Sequence, residues 1–102
     1  MTEFEVSRPL MRTPSHPGAL LADIIPATGR SKTEIAELLG ISRQQLYDII
    51  NERKPVSPGI AARLGKMFGD GAAVWLRMQA AHDAWHAERT VDLSGIPTLS
   101  VA

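Results

Sequence analysis

Two helix-start signals sit close together in the chain, with a glycine between them. Ser31 precedes Glu34 in one S-x-x-E pattern, and Ser42 precedes Gln45 in an S-x-x-Q pattern. In such a capping box the Ser side chain accepts from the backbone three residues on, and the Glu or Gln reaches back. A helix is therefore expected from Lys32, with Ile35, Ala36, Leu38 and Leu39 at helical spacing and Gly40 as a left-handed stop. A second helix follows Ser42, with Leu46, Ile49 and Ile50 as its apolar stripe. Only Gly40-Ile41-Ser42 separates the two. So short a link forces a large angle between helices, as in a helix-turn-helix unit. Small Ala36 lets the second helix cross closely, and Ile35, Leu39, Ile41, Leu46 and Ile49 seal the angle.

The second helix has a definite outer face. With Leu46, Ile49 and Ile50 turned inward, a rotation of about 100° per residue leaves Gln44, Tyr47, Asp48 and Asn51 outward, with Arg43 beside them. Arg pairs bidentately with guanine and Gln with adenine in the major groove. Tyr47 suits a thymine methyl or a phosphate. Asp48 suits a cytosine amine but repels phosphates.

The rest of the chain supplies further helices. Pro17 fits a first helical position, and Leu20, Leu21, Ile24 and Ile25 give an amphipathic face expected to end or kink at Pro26. Ser57 and Pro58 open another helix, with Ile60, Ala61, Leu64, Met67 and Phe68 inward and Gly69 at its close. Asp70 is expected to cap the last and longest helix, Gly71 to about Arg89. Val74, Trp75, Met78, Ala81 and Trp85 form its main stripe, widened by Leu76 and Ala80. Trp75 reads as core. Trp85, near the helix end, reads as a dimer or partner contact, with Met78 and, beyond the helix, Leu99 as further candidates. Residues 1–15 form an N-terminal arm with scattered Phe4, Val6, Leu10 and Met11. Residues 90–102 form an extended tail, too apolar to lie free, expected against the domain or a second chain.

Length, charge and composition narrow the function. The 102 residues make one domain, all-α, with its helix-turn-helix core spanning residues 16–89. With 11 basic and 11 acidic residues the net charge is zero, which argues against a general nucleic-acid coat. A sequence-specific reader needs only a positive docking face. Arg30, Lys32, Arg43, Arg53 and Lys54 surround the motif, opposed by Glu34, Glu37, Asp48 and Glu52. So weak a balance implies modest affinity per monomer and dependence on a homodimer across a two-fold operator. The chain has no Cys, no apolar run long enough to span a membrane and no apolar leader, which fits a cytoplasmic protein.

Catalysis finds little support. His82 and His86 are four apart in H-D-A-W-H, a near match to the H-E-x-x-H zinc helix. The only other His is His16, and nothing in the sequence places it near them. Two surface imidazoles at a helix end are the simpler reading. No nucleophile elbow or phosphate-binding loop occurs. Neither a cofactor nor an enzymatic activity is expected.

Residues 16–85 resemble the HigA-type antitoxins of bacterial toxin–antitoxin modules, within the lambda-repressor-like XRE helix-turn-helix group. The resemblance rests on His16-Pro17-Gly18, on Ser42-Arg43-Gln44 opening the second motif helix, on Asn51, and on Phe68-Gly69, Trp75-Leu76 and Gln79. It implies a five-helix fold, a homodimer, repression of the chain's own operon through double-stranded operator DNA, and neutralisation of a HigB-like mRNA-cleaving toxin. By position it assigns Arg43, Gln44, Tyr47 and Asp48 to base edges. It assigns Ser31, Lys32, Thr33, Ser42, Gln45, Asn51, Arg53 and Lys54 to phosphates. Two departures stand out: Glu52-Arg53-Lys54 occupies a loop where many relatives carry Gly, and the tail beyond Thr90 lies outside the resemblance. A stand-alone XRE-type repressor without a toxin, and a protein-binding inhibitor with vestigial DNA binding, are the competing expectations.

Overall fold

The structure is a computed structural model that describes residues 13–101. Five helices follow one another: α1 Pro17–Ala27, α2 Lys32–Leu39, α3 Arg43–Ile50, α4 Pro58–Phe68 and α5 Ala72–Thr90. No strand occurs among the described residues, so the fold is all-α. The expected N-terminal arm lies outside them except for Thr13–Ser15.

Local chemistry sets most of the boundaries. Both capping boxes are complete, at Ser31 with Glu34 and at Ser42 with Gln45. Gly40 closes α2 at φ 76°, a conformation that costs Gly little. Ser57 caps α4 through the Ile60 amide, 3.2 Å away. At α1 the chain continues one residue past Pro26, which sits exposed in the last turn.

The α5 start differs from expectation. Gly71 is the N-cap residue, at φ 80° and without a side-chain cap, and the helix begins at Ala72. Asp70 is used elsewhere: its Oδ1 accepts from the Trp75 indole at 3.0 Å. The reason is a close approach. A Cβ on Gly65 of α4 would fall within the Gly71–Ala72 backbone, so α5 leaves α4 at near contact and the turn takes a left-handed path.

The core gathers every helix. Leu21, Ile25, Ile35, Ala36, Leu39, Leu46, Ile49, Val56, Ala61, Leu64 and Trp75 are all buried. Removing each such large side chain from water contributes about 1.5–3 kcal/mol. The broadest pairing is α4 on α5, while α1 packs on α3 and α2 on α3 around the motif. Arg63 of α4 ties the motif to this base by donating to the Leu39 carbonyl at 2.7 Å. Leu38, expected on the inner stripe of α2, is 60% exposed and leaves that stripe to Ile35, Ala36 and Leu39.

On α5 the inner line is not the one expected. Ala80 and Ala81 are exposed, and the buried residues are Trp75 and Gln79, with His82 half-buried after them. A glutamine and a histidine thus occupy positions that an apolar reading passes over. The tail after Thr90 does not pack on the domain: every described residue from Val91 on is exposed. Its local order is a turn in which the Ser94 amide and hydroxyl both donate to Asp92 Oδ1, at 3.0 and 2.7 Å.

Candidate nucleic-acid interface

Helix α3 carries the outward residues that its sequence promises. Arg43, Gln44 and Asn51 are exposed, Tyr47 is 37% exposed, and Leu46 and Ile49 are buried beneath them. The face is therefore held rigidly by core packing while its polar ends stay in water.

Asp48 resolves its own contradiction as an acid on such a face. Its Oδ1 accepts from Gln44 Nε2 at 2.8 Å and pairs with Arg53 Nε at 3.3 Å. The Asp48 side chain keeps only 15% of its surface exposed. Its charge is compensated within the face, and it fixes the amide of Gln44 and the guanidinium of Arg53 in one plane of contact.

The two motif helices also meet at the surface. Lys32 Nζ lies over the Tyr47 ring, 5.7 Å from its centre, a favourable cation–π placement. Lys32 and Thr33 open α2, where backbone N–H groups lack partners within the helix and favour an anion. Ser31 has its hydroxyl oxygen engaged by the Glu34 amide at 3.1 Å. Ser42 and Gln45 are likewise engaged in their cap: Ser42 N donates to Gln45 Oε1 at 2.9 Å. The Gln45 amide nitrogen and the hydroxyl protons remain as donors. Gln45 and Lys54 line one small cleft of about 140 Å³ with Ile49, Pro55, Ser57 and Ile60.

The loop after α3 turns sharply back. Glu52 sits at φ 62°, in the left-handed region, with its amide bonded to the Ile49 carbonyl at 3.0 Å. A β-carbon there costs about 1–2 kcal/mol, which is why a glycine suits this turn. The Arg53 and Lys54 amides both donate to the Asp48 carbonyl, at 2.8 and 3.2 Å, so the two cations are set by backbone bonds.

Two residues behind this loop escaped a reading by periodicity. Gln79, buried on α5, accepts from the Val56 amide at 2.8 Å and donates to Asp83 Oδ1 at 2.9 Å. His16 is buried and caps α1, its Nδ1 accepting from the Gly18 amide at 2.9 Å. Its ring meets His82 edge-on with centres 5.0 Å apart, and His82 stands 4.4 Å from His86. The sequence gave no reason to bring His16 to α5, and His82 is not a surface residue as expected. Burial, and then the neighbouring His82, hold the His16 ring below the ordinary imidazole value. Among the described residues no group of three or more His, Cys, Asp or Glu is arranged to hold a metal ion.

The three residues expected at an interface lie in different surroundings. Met78 packs against the core. Trp85 is half-buried under the Arg89 guanidinium, 3.9 Å above its ring, and its Nε1 is buried without a partner among the described residues. Leu99 is 76% exposed on the tail. No helix among the described residues is long and apolar enough to cross a membrane.

The family model for a helix-turn-helix domain matches residues 27–72. Virulence-associated protein A of Dichelobacter nodosus is 38% identical over 74 residues, which span 71% of this chain and 72% of that protein. An addiction module antidote protein of a HigA family from Coxiella burnetii superposes with a TM-score of 0.78 at 26% identity, covering 87% of this chain and 100% of that one. The antitoxin HigA of Pseudomonas aeruginosa, solved with the higBA promoter, gives 0.73 at 26% identity, over 84% of this chain and 99% of that one. With the two capped helices, the outward polar face of α3 and these relatives, the chain belongs to the DNA-binding XRE-type helix-turn-helix family, whose structural neighbours of this chain include HigA antitoxins.

Proposed function

We propose that this protein represses its own operon as the antitoxin of a HigBA-type pair, binding operator DNA as a homodimer and neutralising an mRNA-cleaving toxin. The observation that carries the DNA half is the compensated face of α3, where Asp48 is neutralised by Arg53 and braced by Gln44. Arg43, Gln44 and Tyr47 read bases, and Asp48 positions two of the donors while its second oxygen is left for a cytosine amine. Ser31, Lys32, Thr33, Ser42, Gln45, Asn51, Arg53 and Lys54 hold phosphates on either side.

The protein-partner half is supported by the tail and by the HigA-like neighbours. Leu93, Ile96, Leu99 and Val101 are large apolar residues at 46%, 67%, 76% and 93% exposure. Ordered apolar side chains exposed together mark a contact surface. Trp85, Met78 and Leu99 are the assigned candidates for the dimer or toxin contact.

A mobility-shift titration at physiological salt, with the duplex upstream of its own coding sequence against a scrambled duplex, tests the first half. Preferential binding that Gln44→Ala abolishes is the expected result; equal binding to both duplexes overturns it. Co-purification with the product of the adjacent gene, and relief of that product's toxicity, tests the second half.

A further inference from the structure

His16 joins three parts of the molecule that the DNA-binding face depends on. It caps the start of α1 through the Gly18 amide. Gly18 lies so close to the end of α3 that a Cβ would overlap the Ile49 carbonyl. On its other side the ring meets the backbone of Lys54 in the phosphate-holding loop, and His82 of α5. With Nδ1 accepting from Gly18, the ring proton sits on Nε2, and the ring serves both contacts only when neutral. The charged groups that face it are His82 and Asp83 of α5 and Glu52 of the loop.

We propose that His16 is a positioning residue for operator binding: in its neutral form it locks the loop Glu52–Lys54 and the end of α3 in the DNA-competent arrangement, and its protonation releases them. The inference rests on the DNA-binding reading above. Protonation at Nδ1 removes the acceptor of the Gly18 amide. It also places a cation in a site only 4% exposed, against a second imidazole. The carboxylates of Glu52 and Asp83 favour the charged ring, but burial and His82 oppose it and prevail.

The sign of the effect separates this device from ordinary electrostatics. Protonating surface histidines adds positive charge and strengthens binding to phosphates. Protonating His16 weakens it. Binding to the upstream duplex is thus expected to hold level from pH 8 to 6.5 and to fall below that, approaching a tenfold loss per pH unit as one proton becomes linked to release.

The deciding experiment measures operator affinity by fluorescence anisotropy from pH 8 to 5 for wild type, His16→Asn and His82→Gln. Asn retains an acceptor for the Gly18 amide but does not titrate in this range. His16→Asn should bind at pH 8 within a few-fold of wild type and lose the acid-side fall, whereas His82→Gln should keep it. A wild-type affinity that is level or rises in acid overturns the proposal, as does a His16→Asn variant with the wild-type profile. Absence of operator preference at pH 8 instead refutes the DNA-binding reading itself. If His16→Asn does not fold, NMR on the wild type decides. The Arg53 and Lys54 amide shifts must then titrate with the His16 ring and with the same midpoint as the affinity; independent midpoints refute the proposal.

Discussion

Replacing Gln79 by alanine should destabilise the domain far more than the loss of one polar side chain from a helix suggests. Gln79 is 6% exposed and supplies the only side-chain acceptor seen for the Val56 amide, itself part of a residue 3% exposed. Without that oxygen the N–H is buried and unpaired, at a cost of about 1–3 kcal/mol. Removing the rest of the side chain forfeits about 0.8 kcal/mol for its buried methylene and adds a void. The sum is about 2–4 kcal/mol, a large fraction of a typical stability of about 5–15 kcal/mol. For a domain of this size that lowers Tm by roughly 10–20 °C. Urea unfolding followed by Trp fluorescence, at one fixed protein concentration, measures it, since Trp75 is fully buried. Gln79→Met keeps the volume and isolates the orphaned amide, so it should cost about 1–3 kcal/mol on its own. A Gln79→Ala variant within about 0.5 kcal/mol of wild type, the ordinary range of surface changes, would refute the reasoning.

Four further outcomes follow from the same contacts. Gly18→Ala drives a methyl into the Ile49 carbonyl and should cost at least about 2 kcal/mol, read by thermal melting, with operator affinity falling alongside. Glu52→Gly relieves the left-handed strain and should gain roughly 0.5–1 kcal/mol after the extra unfolded-state entropy of Gly; it also tightens binding to all duplexes alike, checked by melting and anisotropy. Arg43→Ala should relax sequence preference by about 1–3 kcal/mol at one base pair, while Lys54→Ala weakens every sequence equally and flattens the salt dependence. Because His16 is held below its ordinary value of 6.5 in the folded state, the unfolded chain takes up its proton first. Stability should therefore fall as pH drops below about 6.5, seen as a declining urea midpoint that His16→Asn removes.

The helix-turn-helix was legible because its determinants are local. The capping boxes at Ser31 and Ser42 and the left-handed Gly40 act within four residues, so their patterns survive in one dimension. The apolar spacing of Ile35, Leu39, Leu46 and Ile49 likewise assigned the buried and outward sides of α2 and α3 correctly. A sequence with those signals has few other ways to satisfy its helix ends and bury that stripe.

Tertiary structure decided the rest, and in each case through a contact between residues distant in sequence. Asp70 looks like a cap, but the Trp75 indole claims its carboxylate, because α5 must leave α4 where Gly65 and Gly71 nearly touch. Gln79 looks like a break in an apolar stripe and is the partner of a buried amide twenty-three residues away. The net charge of Asp48's face depended on where the loop carried Arg53. His16 and His82 are far apart in sequence and meet only because α1 and α5 both pack against the base of the motif. Local hydrogen bonds fix where helices start and stop. Which polar side chains share a buried site is fixed only when those helices close on one another, and that is the part no spacing pattern carries.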